Sequence, residues 1–149
     1  MIKIHTILDS GKKDIVPDGI VTLEYAKRQK CTQRVMLDSG DEVGLMLPRG
    51  TVLHDGDMLE ADNGWIIRVC AAKEALSVAT CQDPDLFARA CYHLGNRHAP
   101  AQICQNILSY QHDHVLDDML IGLGLSVHLE SAPFSPENGA YHNNSSHNH

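Results

Sequence analysis

The first half of the chain alternates between short apolar runs and clusters of turn-forming residues. Asp, Gly, Pro and Ser separate the runs, and several runs place apolar residues at every second position. This period is typical of β-strands with one buried face. Short strands with regular turns indicate a small β-sandwich or barrel, and we expect no helix of useful length before residue 83. The expected strands cover residues 2–8, 20–25, 33–37, 43–47, 51–53 and 65–70.

The hydrophobic period changes in the second half. After a strand at residues 76–80, Asp83-Pro84 predicts a helix start, because Asp caps helices and Pro suits the first turn. Apolar residues then follow at helical spacing and form one stripe. Residues 101–110 are expected to be extended, with a turn at 105–106. The apolar stripe consists of Leu86, Phe87, Ala90, Cys91 and Leu94.

A second helix is predicted by another apolar face, and Gly124 is a suitable C-terminal residue for it. Residues 126–129 form the last expected strand. The order strand, helix, strand, strand, helix, strand is that of a ferredoxin-like βαββαβ domain. The chain is therefore expected to be an α+β protein. The second apolar face consists of Val115, Leu116, Met119, Leu120 and Leu123.

Element order and composition divide the chain into three predicted parts. Residues 1–73 form the β-rich domain, and residues 74–132 form the ferredoxin-like domain. From Pro133 onward the composition shifts to Pro, Ser, Asn, Gly and His. Residues 133–149 are therefore expected to be a flexible tail that carries histidines.

Charge and composition exclude several functional classes. The 149 residues carry a net charge of −7, with 12 basic against 19 acidic side chains, which argues against a nucleic-acid partner. No apolar run is long enough to span a membrane, and no secretory signal is recognisable. The five cysteines contain no CxxC pair, so they are expected to be free. These observations favour a cytoplasmic protein.

Histidine is the unusual residue, with ten copies. In His112-Asp113-His114, two imidazoles would share a face if the segment were extended, and imidazoles beside a carboxylate suit a transition metal. Equally, these are two exposed histidines at a helix start that Asp113 caps. His93 and His98 would not share a helix face, and His98 is expected at or beyond the helix end.

Other candidates have a structural or compositional explanation. Packing or a surface position is the favoured role of His93, and Asp117-Asp118 fits the start of a helix, where the dipole favours acids. The tail histidines form a tract of metal-binding composition. No nucleotide-binding, hydrolase or metalloprotease motif is present, so the chain is not expected to be an enzyme. The tail histidines are His142, His147 and His149.

Two blocks carry a resemblance to a known family. Residues 91–103, CYHLGNRHAPAQI, and residues 110–120, YQHDHVLDDML, resemble the signature of the UreE family of urease accessory metallochaperones. Gly124-Leu125 and parts of residues 133–142 are similar too. The resemblance implies a homodimer with a peptide-binding-like β-domain and a ferredoxin-like metal domain. It also implies delivery of Ni(II) to apo-urease together with other accessory proteins, including a GTPase.

The resemblance also implies a set of metal ligands. His98 matches the histidine that the family places at its dimer interface, and His112 and His114 match an outer pair. Weaker contacts fall on His93, Cys81 and Asp113. Because two copies of His98 can meet near a two-fold axis, the principal site would be shared by two chains. Zinc or copper could occupy the same ligands.

Three functions remain open from the sequence. The first is a nickel-transfer chaperone with reversible binding. The second is a metal-buffering protein for nickel, zinc or copper, in which the sparse tail histidines do most of the binding. The third is a metal-dependent hydrolase that uses His112 and His114. In the first two, imidazole ligation predicts that binding weakens as the pH falls through about 6.5.

Overall fold

A computed structural model of the chain describes residues 1–9 and 14–139. The fold divides into two compact units, Met1–Lys73 and Glu74–His149. No helix among the described residues has the length and apolar character needed to cross a membrane.

The described residues of the first unit form a six-stranded mixed sheet and one short helix. The strand order is β2-β6-β5-β1-β4-β3, with parallel pairing of β1 to β4 and of β2 to β6. The core is aliphatic and includes the fully buried Ile4, Leu59 and Ile67. The elements are β1 (Ile2–Ile7), β2 (Gly19–Leu23), α1 (Tyr25–Arg28), β3 (Thr32–Met36), β4 (Glu42–Met46), β5 (Met58–Ala61) and β6 (Ile66–Ala71).

The two outermost strands of this sheet meet at one end. The Asp38 amide, just beyond β3, donates to the carbonyl of Ile20 in β2 over 2.8 Å. The Thr22 hydroxyl donates to the Asp38 carboxylate. The sheet therefore curls into a barrel-like shape, and it is not a sandwich of two sheets.

Two local predictions in this unit are wrong. Residues 51–53 form a loop, and β5 begins only at Met58. Leu53 is apolar because it is fully buried, not because it lies in a strand. The buried Arg28 holds this loop, since its Nη1 donates to the Leu53 carbonyl over 3.4 Å while its Nε donates to the Leu23 carbonyl. Tyr25, predicted to end a strand, instead begins helix α1.

The second unit has the predicted order of elements. Its four strands lie in the order β10-β7-β9-β8, and β9 is antiparallel to both β7 and β8. The apolar faces that the sequence indicated are largely buried in both helices, with Leu94 and Leu120 fully inaccessible. Val115, predicted on the apolar face of the second helix, is instead 59% exposed. The elements are β7 (Lys73–Thr80), α2 (Pro84–Asn96), β8 (Gln102–Cys104), β9 (Ile107–Gln111), α3 (His114–Leu123) and β10 (Ser126–Pro133).

The fold does not end at Pro133, which corrects the expected start of the flexible tail. Pro133 closes β10, and Phe134 is fully buried. The Ser135 amide then donates to Gln102 Oε1 over 2.9 Å, and the Glu137 amide donates to the Ala101 carbonyl over 2.7 Å. Residues through Glu137 therefore belong to the second unit. Residues 140–149 lie outside the described part of the chain.

Candidate metal centre

His98 follows helix α2 in an unusual backbone conformation. Arg97 is the C-cap, and His98 has φ of 56°, with its amide donating to the Gly95 carbonyl over 3.0 Å. This left-handed position at a helix end is usually occupied by glycine, because a side chain there is strained. The imidazole of His98 is exposed. The prediction that His98 projects from the end of the helix is thus consistent with its geometry.

The weaker candidates His93 and Cys81 have local structural roles. His93 is half-buried on α2, where its ring meets the Tyr92 ring edge-on with the centroids 5.4 Å apart. The Cys81 thiol lies 3.5 Å from the Asp83 carbonyl and packs against the core of the second unit. All five cysteines are free.

The His112-Asp113-His114 triplet lies across the start of helix α3. Asp113 is the N-cap, and its Oδ1 accepts from the amides of Val115 and Leu116 over 2.9 Å and 3.1 Å. His114 is already the first residue of the helix. The triplet is therefore not wholly extended, because the chain turns into the helix after Asp113. The alternative, two exposed histidines at a helix start that Asp113 caps, agrees with this geometry.

The two histidines of the triplet face different carboxylates. His112 Nδ1 lies 3.3 Å from Asp117 Oδ2 and 3.1 Å from Ser77 Oγ. His114 Nε2 lies 3.3 Å from Asp118 Oδ2, one helical turn further along α3. The Asp117-Asp118 pair, which the sequence assigned to the helix dipole, thus also contacts both histidines.

Tyr110 completes the surroundings of His112. It lies on β9 and is fully buried, and its hydroxyl donates to Asp117 Oδ1 over 2.6 Å. Burial, together with the hydrogen bond to the Asp117 carboxylate, raises the pKa of Tyr110 well above its ordinary value. The phenol therefore stays protonated at neutral pH and acts as a donor.

A cleft of about 200 Å³ joins this network to the segment that follows His98. Ala99 and Pro100 form one side, directly after the exposed histidine, and His112 and Asp113 contribute to the other side. The full lining is Ala99, Pro100, Tyr110, Gln111, His112, Asp113 and Leu116. The segment after His98 and the start of the His112-Asp113-His114 triplet line the same cleft, so they lie on one face of the second unit.

Within residues 1–9 and 14–139, no three His, Cys, Asp or Glu side chains converge to hold a metal ion. The imidazoles of His98, His112 and His114 therefore do not form a closed site in one copy of the described chain. A hydrolytic metal centre, with three protein ligands and an open position, is not assembled among these residues either. The predicted tail ligands His142, His147 and His149 lie outside the described residues.

Comparison with known proteins decides the family. A family model described as the N-terminal domain of the UreE urease accessory protein matches residues 3–72, and its C-terminal counterpart matches residues 74–149. The chain belongs to the UreE family. Its members are named as accessory proteins of urease and not for a catalytic activity of their own.

Individual UreE proteins are similar over most of their length. The urease accessory protein UreE of Pseudomonas putida strain GB-1 is 56% identical over 142 residues, which cover 95% of this chain and 85% of that protein. UreE of P. putida strain W619 is 58% identical over 124 residues, covering 83% and 77%. UreE of Vibrio parahaemolyticus is 49% identical over 145 residues, covering 95% and 91%.

Sequence inspection missed the partners of His112 in this UreE chain. Ser77 is 35 positions away from His112, and only the pairing of β7 with β9, which sets Ser77 opposite Tyr110, brings them together. The spacing of His114 and Asp118 at i and i+4 on a helix was a usable signal. The contact between Asp117 and Tyr110 had no comparable local signature.

Proposed function

We propose that this UreE family member is a nickel metallochaperone. It binds Ni(II) reversibly at a histidine site shared by two copies of the chain, and it delivers the ion for assembly of the urease metallocentre. Its partners are apo-urease and the other accessory proteins, including a GTPase, in the cytoplasm. The names of the matched family and relatives support the urease link, and the order β10-β7-β9-β8 supports a ferredoxin-like metal domain.

The observation that carries the shared site is the setting of His98. Its imidazole is exposed at a strained helix end, and the described part of one chain gathers no three-ligand cluster around it. A homodimer with two-fold symmetry sets the same surface of each copy against the other. Two His98 rings near the axis would then supply ligands that neither chain provides alone.

The ligand chemistry supports transfer over permanent storage. Ni(II) is cargo here and keeps its oxidation state, so binding exchanges water for imidazole and release reverses the exchange. A few neutral imidazoles at an open surface suit Ni(II), whereas a closed cage of four thiolates is typical of a structural metal site. Zinc and copper compete for the same nitrogen ligands, because affinity depends on the ligands and not on biological role.

The test is a Ni(II) titration by calorimetry, combined with sedimentation, on wild type, His98→Ala and His128→Ala. His128 is a matched control, since it is an exposed histidine of the same unit. We expect a dimer that binds about one ion per two chains, loss of this step in His98→Ala, and no change in His128→Ala. Unchanged binding by His98→Ala would contradict the shared site.

A deletion of residues 142–149 separates transfer from metal buffering. If the chain is a transfer chaperone, the His98 step survives the deletion, and only additional ions are lost. Loss of nearly all stoichiometric binding in the deletion variant would instead favour the buffering function.

A further inference from the structure

Polar side chains behind His112 form a connected hydrogen-bond network. The Tyr110 hydroxyl donates to one oxygen of Asp117 over 2.6 Å, and the other oxygen lies 3.3 Å from His112 Nδ1. Ser77 Oγ lies 3.1 Å from the same nitrogen. Ser77 and Tyr110 are buried, while the His112 side chain is 46% exposed. The network is therefore fixed on its inner side, and His112 is its outer member.

The proton positions in this network follow from the chemistry of its members. The buried phenol of Tyr110 donates, and the Asp117 carboxylate can only accept. A neutral imidazole has one N–H and one lone pair, and the partner of one nitrogen decides which form is present. A carboxylate oxygen opposite Nδ1 favours a proton on Nδ1, because a bare Nδ1 would set two lone pairs against each other. The Ser77 hydroxyl can accept from the same N–H.

We infer that Asp117, supported by Tyr110 and Ser77, holds neutral His112 in the Nδ1–H tautomer and thereby presents its Nε2 lone pair to a metal ion. The binding of a metal ion by Nε2 rests on the proposed function, whereas the Nδ1–H tautomer is a property of the metal-free protein. In protein metal sites, the nitrogen that does not bind the ion commonly donates to a carboxylate or carbonyl, and this contact orients the ring. Asp117, Tyr110 and Ser77 are thus positioning residues that act through His112.

The neighbouring histidine is held differently. Asp118 faces Nε2 of His114, and the two side chains are 84% and 66% exposed for His114 and Asp118 respectively. Exposed ion pairs hold side chains weakly. The two histidines of the triplet are therefore not equivalent, because His112 is oriented before metal arrives and His114 is not.

The first test measures ring protonation in the metal-free, full-length protein by long-range ¹H–¹⁵N correlation NMR. At about pH 8.5, where an ordinary imidazole is neutral, we expect His112 to carry its proton on Nδ1. In Asp117→Asn, the introduced amide can accept from Tyr110 and donate to Nδ1, so the proton moves to Nε2. Asp118→Asn is the matched control, since it removes the same charge one residue away and leaves the His112 tautomer unchanged.

Two NMR results would overturn the inference regardless of nickel binding. One is Nε2–H at His112 in the wild type, a measurement that needs no variant and so stands even if Asp117→Asn does not fold. The other is a His112 tautomer that stays Nδ1–H in folded Asp117→Asn.

The second test asks whether the positioning matters for metal. In Ni(II) titrations, His112→Ala identifies the binding step that depends on this ring. Asp117→Asn should weaken that step by about 10- to 100-fold, and Asp118→Asn should weaken it by less than about fivefold. Equal weakening in both variants would mean that only charge matters, and it would overturn the positioning role. Loss or retention of the separate His98 step bears on the proposed function alone.

Discussion

Replacing His98 by glycine should stabilise the metal-free protein while removing the metal ligand that we propose as the principal one. His98 has φ of 56° at the end of α2. A side chain in this region costs about 1–2 kcal/mol relative to the right-handed one, and glycine relieves this cost. Glycine also gives the unfolded chain more freedom, which offsets about 0.4–1 kcal/mol. The net expectation is a gain of about 0.8 kcal/mol in the free energy of unfolding.

The assay is scanning calorimetry in the presence of a chelator, followed by the same scan with excess nickel. For a unit of this size, the expected gain raises the melting temperature of His98→Gly by about 3 to 6 °C. Excess nickel should reverse the order of the two melting temperatures. At a free concentration of 100 times Kd, one site contributes about 2.7 kcal/mol. Divided between two chains, this is about 1.35 kcal/mol per chain, which exceeds the net gain of about 0.8 kcal/mol expected for His98→Gly. Wild type should then melt above His98→Gly.

Gln105 provides the matched control. It has φ of 54° in the turn between β8 and β9 and was not assigned any metal role. Gln105→Gly should give a similar gain in stability, and nickel should raise its melting temperature as much as it raises that of wild type. If Gln105→Gly is stabilised but metal-free His98→Gly is not, the strain argument is refuted at position 98. If nickel stabilises His98→Gly as much as wild type, the ligand assignment is refuted.

Three further predictions concern the second unit. Asp113→Ala should lower the free energy of unfolding by about 1 kcal/mol through loss of the α3 cap, and Asp113→Ser should restore the stability; urea titration measures both effects. If Asp113→Ser is stable but no longer binds nickel, Asp113 is a metal ligand and not only a helix cap. Phe134→Ala should lower the free energy of unfolding by about 3–5 kcal/mol, because the ring is fully buried. Equal stability of Phe134→Ala and wild type in urea titrations would contradict this burial. The folded protein favours the neutral form of Tyr110, which raises the pKa of the phenol. The resulting contribution to the free energy of unfolding is complete below the ordinary pKa of 10.0 and is lost as the pH rises above it. Stability should therefore fall above about pH 10, and Tyr110→Phe should flatten that fall in urea titrations at successive pH values.

The helices of the second unit were predictable because their signals are local. Asp83 and Asp113 accept from amides only two and three residues ahead, and the apolar stripes repeat within each helix. Residues 51–53 were mistaken for a strand, because Leu53 is buried in the core of the first unit although its segment is a loop that pairs with no strand. The local sequence pattern cannot distinguish an apolar residue buried in a strand from one buried in a loop.

The candidate site was only partly predictable, because some of its interacting residues lie far apart in the sequence. The histidines themselves stand in recognisable blocks, and His98 was expected at a helix end. Its left-handed backbone was not indicated, since glycine or asparagine usually marks that conformation. The network behind His112 depends on the register of β7 against β9, which pairs Ser77 with Tyr110. Such register is a property of the folded sheet and leaves no mark near His112.

The hydrogen bond from the Glu137 amide to the Ala101 carbonyl has a practical consequence for experiments. Ala101 is three residues after His98, so their Cα atoms are at most about 11 Å apart. The sequence continues for twelve residues beyond Glu137, so whatever is joined to its carboxyl end stays within about 45 Å of this anchor point, which raises its local concentration near the candidate ligand. A C-terminal polyhistidine purification tag would compete there for nickel, so an affinity tag for these titrations belongs at the amino end or must be cleaved.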